Sequence, residues 1–229
     1  MTTHVLIPGG WGGAWLWRRV AQLVTAAGHE AFAISLTGMG ERVHLAHPDI
    51  NLDTFIQDVV NVIKFGELEN IILVGFSFGG MIAAGVAELV PEKIERLVFL
   101  DAFVPQHGQS CADLIGPQVA AYAQHIVDTQ GDGWLFPPQN PTDARFTPQP
   151  VKTAFQPVKI GNPAAAALSR TFIYCTEDKD EPDPFLAPVI LAAKKSKSDE
   201  TWSYYELESS HEAMLYAPEK LVRLLLELA

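Results

Sequence analysis

Residues 71–80, IILVGFSFGG, restrict the fold of this chain more than any other segment. An apolar run stops at Ser77, which lies between Gly75 and Gly79, and a helical pattern of small residues follows at once. A strand that reverses into a helix within about one residue strains the serine, and glycines let the backbone pack closely around it. The turn presents the hydroxyl above the sheet edge, beside the amides of the helix N-terminus. Ser77 is therefore the candidate nucleophile, with a simple helix-capping serine as the alternative.

Composition and charge favour a globular protein over a nucleic-acid or membrane protein. The chain has 229 residues, 48% of them hydrophobic, which suits one domain with a substantial core. A formal net charge of −11 at pH 7 would repel a polyanion, so nucleic acid is not an expected partner. No window approaches the roughly 18 consecutive apolar residues of a membrane span, and MTTHVLIPGG carries no charged leader. We therefore expect no membrane association and a cytoplasmic location.

Short apolar runs alternate with amphipathic stretches along most of the chain. This alternation is typical of an α/β protein with a mostly parallel sheet covered by helices on both faces. The expected strands are residues 3–8, 31–35, 70–75, 94–100, 170–176 and 201–207. The expected helices are residues 14–27, 53–65, 78–89, 183–195 and 217–228, several of which end at glycine or proline.

Residues 103–168 break this alternation and are rich in proline. They are too long for a plain connection, because structureless loops beyond about 15 residues are uncommon in compact domains. A helical stretch from Pro117 to Thr129 and several aromatic residues favour an ordered lid over a solvated linker. We therefore divide the chain into a core, residues 1–102 and 169–229, and a short inserted cap segment, residues 103–168.

A serine nucleophile needs a base, and the base needs a carboxylate that orients it. When the serine lies on such a strand-to-helix turn, the acid and then the histidine follow it along the chain. Of the seven histidines, only His211 lies in a loop after the last expected strand, where its ring can reach over the sheet edge. His211 is therefore the candidate base.

Three aspartates compete for the role of the orienting acid. Asp178 follows the fifth expected strand and is best placed, and Asp180 is second. Asp101, at the end of the fourth expected strand, is a further rival, because some hydrolases take their acid from that position. Position along the chain does not exclude it.

The loop after the first strand should supply one donor of an oxyanion hole. Its sequence, PGGWGGAW, carries four glycines and so frees backbone amides, and we assign the two donors to the N–H groups of Gly10 and Phe78. A glycine-rich first turn can also bind a dinucleotide. That alternative is weak here, because the glycine spacing is wrong and no acidic residue ends the second strand.

Six ordered motifs resemble a known family over nearly the full length of the chain: PGGWGGAW, GHEAFAISLTGMGER, ILVGFSFGG, FLDAFVP, YCTEDK and SSHEAML. The chain resembles the branch of the α/β-hydrolase superfamily that contains plant methyl esterases, salicylate-binding esterases, hydroxynitrile lyases and many bacterial relatives. The resemblance implies the α/β-hydrolase fold, a triad of Ser77, Asp178 and His211, and a cap over a mostly apolar pocket.

The chain departs from the family pattern at three positions. Family members usually have a histidine before the first oxyanion glycine, thought to orient the loop, where this chain has Pro8. The lyases use a threonine in this loop and a lysine just after the catalytic histidine; the corresponding residues here are Gly9 and Glu212. Without a cation to hold the departing cyanide, cyanohydrin cleavage loses its electrostatic support, whereas ester hydrolysis needs neither residue.

We therefore expect a carboxylic ester hydrolase that cleaves small to medium uncharged esters through an acyl-enzyme intermediate. Candidate residues for its pocket are Trp11, Trp15, Phe76 and Trp134, each of which could equally belong to the core. The alternatives are a carbamate or lactone hydrolase with the same triad, a hydroxynitrile lyase, and a non-catalytic small-molecule-binding protein.

Cofactors and partners follow from the same pattern. The two cysteines, Cys111 and Cys175, are far apart and lack the spacing of a metal site or a disulfide framework. We expect no metal and no other cofactor, a small-molecule ester as substrate, no nucleic-acid or membrane partner, and a monomer or homodimer.

Overall fold

The structure, a computed structural model, describes residues 1–138, 143–177 and 183–228. The strands of this part of the chain are β1 (Thr3–Ile7), β2 (Glu30–Ala33), β3 (Ile71–Phe76), β4 (Ile94–Leu100), β5 (Leu135–Phe136), β6 (Gln149–Pro150), β7 (Ser169–Cys175) and β8 (Trp202–Leu207). The α-helices are α1 (Arg18–Ala26), α2 (Leu52–Phe65), α3 (Gly79–Leu89), α4 (Cys111–Ile115), α5 (Pro117–Gln130), α6 (Lys152–Phe155), α7 (Pro163–Ala166), α8 (Ala187–Ser198), α9 (Ala213–Tyr216) and α10 (Pro218–Glu227).

Six of the strands form one sheet in the order β2-β1-β3-β4-β7-β8. Every neighbouring pair in this sheet is parallel. All six strands lie where the alternating pattern predicts them, and the expected α/β-hydrolase fold is confirmed. Because the strands are parallel, their carboxyl ends meet at one edge of the sheet, which is where open α/β sheets bind ligands.

Two hydrophobic clusters cover the two faces of the sheet. Successive residues of a strand point to opposite faces, so Leu73 packs into one cluster and Val74 into the other. Helices α2, α3 and α8 contribute to the first cluster, and helices α1, α9 and α10 contribute to the second. Strands β1 and β3 are buried along their whole length, which explains why β3 and residues 5–7 of β1 are continuously apolar instead of alternating.

Two of the expected helices begin differently from the sequence prediction. Residues 14–17 and 184–186 form 3-10 turns, and the α-helices start only at Arg18 and Ala187. In the first case the carbonyl of the extended residue Gly13 accepts from the amide of Leu16 at 3.1 Å, which closes a tighter turn than an α-helix.

The cap segment lies between β4 and β7 and has secondary structure of its own. It contains helices α4 to α7 and the short antiparallel pair of β5 and β6, in which Phe136 lies opposite Gln149. The helix predicted at residues 117–129 is α5. None of the described helices is long and apolar enough to cross a membrane.

Candidate active site

Ser77 lies on the sharp turn between β3 and α3. Its φ is 51°, a left-handed backbone conformation that is strained for a side chain with a Cβ. A Cβ at Gly75 would lie 2.6 Å from the carbonyl oxygen of Gly79, so only glycine fits there. A Cβ at Gly79 would lie 2.7 Å from the carbonyl oxygen of Pro8. The two glycines therefore have the close-packing role that the motif predicts for them.

The turn is also tied to the end of β4. The amide of Ser77 donates to the carbonyl of Leu100 at 3.2 Å, and the carbonyl of Ser77 accepts from the amide of Phe103 at 3.1 Å. These bonds hold the strained serine from the neighbouring strand, at the edge of the sheet where the strands end.

His211 lies between β8 and α9, in the loop that the sequence predicts. Its Nδ1 lies 2.6 Å from Oδ2 of Asp101, and its ring is 4.7 Å from the ring of Phe76. An ionised carboxylate can only accept a hydrogen bond, so Nδ1 is the donor, and in the neutral imidazole Nε2 is then the acceptor. This is the tautomer that a general base requires.

Asp101 is fully buried at the end of β4, next to the strand that carries Ser77. Its second carboxylate oxygen, Oδ1, accepts from the amide of Cys175 at 3.2 Å. Both oxygens are thus hydrogen-bonded, as a buried carboxylate requires. Asp101 is thus the one of the three candidate aspartates that contacts the imidazole among the described residues.

Asp178 and Asp180, the other two aspartates, lie outside the described residues. The assignment of Asp178 therefore cannot be supported by a contact, whereas Asp101 has one. The sequence feature that points to Asp101 is its position in VFLDAF. A carboxylate directly after a buried apolar strand needs a partner inside the protein.

Gly10 and Phe78 both line the cavity in which Ser77 lies. Within the described chain, neither of their backbone amides donates a hydrogen bond to a protein acceptor. Unpaired N–H groups beside a nucleophile can receive a developing oxyanion. Helix α3 begins immediately after Phe78 and adds the positive end of its dipole.

The cavity has a volume of about 370 Å³ and lies between the carboxyl ends of the strands and the cap segment. Its polar side chains are Ser77, Gln149, Glu177, Asp183, Ser210, His211 and Glu212, together with the thiol of Cys111. The rest of its lining is mostly apolar and comes largely from the cap segment, including Phe103, Ala112, Ile115, Phe136, Val151 and Phe155. No lysine or arginine belongs to the lining among the described residues.

The aromatic residues predicted for the pocket have different positions. Trp11 lines the cavity, whereas Trp15, Phe76 and Trp134 are absent from its described lining. Trp15 packs edge-on against Phe146 with 5.1 Å between ring centroids, and Phe76 is buried between Trp17 and His211. The sequence prediction missed the cap aromatics because the irregular cap segment has no periodicity that shows which side chains face inward.

Cys111 lies in the same cavity and is the other potential nucleophile there. Burial raises the pKa of its thiol to about 12, so the thiol stays protonated at neutral pH. Within the described residues, no group of three or more histidine, cysteine, aspartate or glutamate side chains could hold a metal ion.

Comparison with known proteins identifies the same fold. A model of the α/β-hydrolase family matches residues 5–224. A carbendazim-hydrolysing esterase of Nocardioides sp. (strain SG-4G) is 32% identical, covering 96% of this chain and 97% of that protein. Salicylic acid-binding protein 2 of Nicotiana tabacum is 27% identical, covering 98% of this chain and 96% of that protein.

Among solved structures, an extracellular α/β-hydrolase from a Paenibacillus species superposes with a TM-score of 0.81 at 23% identity. The match covers 99% of this chain and 98% of that one, and at this identity it supports the fold alone. The relatives confirm the branch that the motifs resemble, and with it the enzyme class, a carboxylic ester hydrolase. Because the family model and a 32% identical relative both span nearly its whole length, the chain belongs to the α/β-hydrolase family.

Proposed function

We propose that this chain hydrolyses small to medium uncharged carboxylic esters through an acyl-enzyme intermediate on Ser77. The observation that carries the proposal is the contact between His211 Nδ1 and the buried Asp101 carboxylate, at the cavity in which Ser77 lies. In this proposal Asp101 replaces Asp178 as the orienting acid.

The chemistry proceeds in two steps. His211 Nε2 takes the proton of the Ser77 hydroxyl, and the serine oxygen attacks the ester carbonyl. The negative charge that develops on the carbonyl oxygen is received by the amides of Gly10 and Phe78. His211 then protonates the leaving alcohol, and a water molecule activated by the same imidazole releases the acid.

The cavity supports a small, uncharged substrate. Its volume of about 370 Å³ is near the lower end for ligand pockets, which hold roughly 300–1,000 Å³. Three carboxylates at its lining, those of Glu177, Asp183 and Glu212, have no lysine or arginine beside them in the described lining. An anionic substrate would therefore be repelled, whereas the carboxylate product would be helped to leave.

Replacement of Ser77 tests the proposal directly. Ser77→Ala should lower kcat for p-nitrophenyl acetate by roughly 10⁴-fold or more, because an isolated base and oxyanion hole retain only residual catalysis. Labelling by an organophosphonate, measured by intact mass, should occur in the wild-type protein and vanish in Ser77→Ala. An unlabelled wild-type protein would support the non-catalytic alternative, and wild-type rates for Ser77→Ala would refute the proposal.

Carbamate hydrolysis by the same residues is the second candidate. It is favoured by the 32% identical relative that is named for hydrolysing carbendazim, a methyl carbamate. A screen of p-nitrophenyl esters from acetyl to octanoyl, with carbendazim and a phenyl carbamate included, distinguishes ester hydrolysis from carbamate hydrolysis. The ester proposal predicts the highest kcat/KM for a short acyl ester, and the alternative predicts it for a carbamate.

A further inference from the structure

The loop after β1, which carries Gly10, contains a strained turn. The amide of Gly12 donates to the carbonyl of Gly9 at 3.4 Å, which closes a four-residue turn with Gly10 and Trp11 at its centre. Trp11 has a φ of 59°, whereas Gly10 is not among the residues with positive φ. This combination is that of a type II turn, which normally has glycine in the position of Trp11. A tryptophan stays in this conformation only if its surroundings hold it there.

All three polar groups of Trp11 bind to the cap segment. Its amide donates to Oε1 of Gln149 at 3.3 Å, and its indole N–H donates to the carbonyl of Phe136 at 2.9 Å. Its carbonyl accepts from the amide of Thr147 at 2.9 Å. The amide contact decides which way the Gly10–Trp11 peptide faces, because rotating that peptide would replace the N–H by the carbonyl oxygen of Gly10.

Gln149 is itself fixed in one orientation. Its Nε2 donates to Oγ1 of Thr153 at 2.8 Å, and that hydroxyl donates to the carbonyl of Pro150 at 2.6 Å. The Pro150 carbonyl can only accept, so the direction of each hydrogen bond in this series is fixed. Oε1 of Gln149 must therefore face Trp11. Gln149 is 5% exposed and Thr153 is fully buried, so water has little access to these bonds.

We propose that Gln149 is a positioning residue of the oxyanion hole. Its side-chain carbonyl holds the Gly10–Trp11 peptide in the strained turn and so fixes the backbone of Gly10, whose own N–H, in the preceding peptide, is the proposed donor to the developing oxyanion. The loop alone does not specify this arrangement; the cap segment completes it. The inference rests on the proposed function, since it concerns the oxyanion that Ser77 would generate.

The test compares Gln149→Met, which keeps the size but removes the acceptor, with the wild-type protein. We expect kcat for p-nitrophenyl acetate to fall by about 10²-fold, as for the loss of one oxyanion donor, with KM nearly unchanged. Thr153→Val, which frees the amide of Gln149 to rotate, should show a smaller loss of the same kind. Thr153→Ser keeps the hydroxyl and is the matched control that should retain wild-type kcat.

Two inhibitors separate positioning from a general effect on the pocket. The serine oxygen adds to the carbonyl of 2,2,2-trifluoroacetophenone, and the carbonyl oxygen becomes an oxyanion on a tetrahedral carbon. Acetophenone occupies the same space without forming that charge. Gln149→Met should weaken inhibition by the first in parallel with kcat and leave inhibition by the second unchanged. Equal losses for both ketones, or a kcat within threefold of wild type, would overturn the proposal.

Folding and the proposed function are checked in the same series. If Gln149→Met lowers the thermal unfolding midpoint, the change in kcat of Thr153→Val tests the proposal instead, because Gln149 is still present in that variant. Organophosphonate labelling of the wild-type protein reports on Ser77 separately. A labelled wild type with an unaffected Gln149→Met would refute the positioning role alone, and an unlabelled wild type would refute the positioning role and the serine mechanism together.

Discussion

The Asp101 carboxylate meets the His211 imidazole at 2.6 Å, although the two residues come from opposite sides of the cap segment in sequence. Asp101 also has a left-handed φ of 42°, directly after β4. With Ser77 and Trp11, it is the third strained residue at this sheet edge. Strain of about 1–3 kcal/mol per residue persists only where the surrounding structure enforces it, and it is typical of active sites.

Replacing Asp101 by asparagine tests the assignment of the acid. Asp101→Asn should lower kcat by about 10⁴-fold, because an amide in place of the carboxylate stabilises the wrong imidazole tautomer. Steady-state hydrolysis of p-nitrophenyl acetate measures this loss, and circular dichroism checks that the fold is kept. Asp178→Asn is the matched control and should stay close to wild type. The reverse pattern, with the large loss in Asp178→Asn, would return the acid to the position that the resemblance implies.

The sequence predicts the sheet and the positions of Ser77 and His211 in the fold, for physical reasons. Parallel strands buried on both faces must be apolar throughout, so short apolar runs are visible without the structure. Ser77 is marked by the glycines that its turn requires, and His211 is marked by its loop after the last strand.

The acid and the pocket are harder to predict. Strands β4 and β7 both end at the edge that His211 reaches, so position along the chain does not choose between the carboxylates that follow them. The cap segment is largely irregular, and its inward-facing residues follow from tertiary packing instead of a helical or strand period. Gln149, which lies in a two-residue strand, had no signal in the sequence at all.

The packing of Gly9 predicts that introducing threonine at this position, as in the lyases, does not convert this chain to a lyase. A Cβ at Gly9 would lie 2.9 Å from two atoms of the Phe76 ring and 3.0 Å from Cβ of Ser77. Gly9→Thr should therefore lower ester hydrolysis by about 10²-fold or more, since the nucleophile must move. It should also release no cyanide from mandelonitrile.

Gly161→Thr is the matched control for that substitution. Gly161 is exposed, a Cβ there would meet no atom within 4 Å, and its φ is not positive. This variant should hydrolyse p-nitrophenyl acetate at the wild-type rate. Wild-type esterase activity in Gly9→Thr would show that the loop is more adaptable than its packing indicates.

The carboxylates of the cavity predict discrimination by charge. Glu177, Asp183 and Glu212 should make p-nitrophenyl butyrate a better substrate than p-nitrophenyl hemisuccinate, by about tenfold or more in kcat/KM at low salt. Added salt should narrow the difference, because it screens exposed charges. Initial rates for both esters across a salt series measure this effect.

Asp183→Asn should narrow the same difference at low salt. The Oδ1 atom of Asp183 accepts from the amide of Phe185 at 2.9 Å, and asparagine retains an oxygen for that bond. Glu200→Gln removes the same amount of charge just before β8, at the end of the sheet away from the cavity. If both variants change the ratio equally, the discrimination comes from the net charge of the protein and not from the cavity.

A histidine outside the active site predicts how stability depends on pH. His4 is fully buried in β1, and burial lowers its pKa from the ordinary value of 6.5. As the pH falls below 6.5, the unfolded chain takes up a proton at this position that the folded protein does not. The free energy of unfolding should therefore fall with decreasing pH in this range, by at most about 1.4 kcal/mol per pH unit for this proton.

His4→Leu, which removes the titrating group and keeps an apolar side chain of similar size, should make this slope shallower. Urea unfolding at several values between about pH 7 and pH 5 measures the free energy of unfolding of both proteins. At about pH 8 the histidine is neutral in both states, so a difference there reports packing alone. If the two curves run parallel down to about pH 5, His4 does not exchange a proton on unfolding, and other groups cause the acid sensitivity.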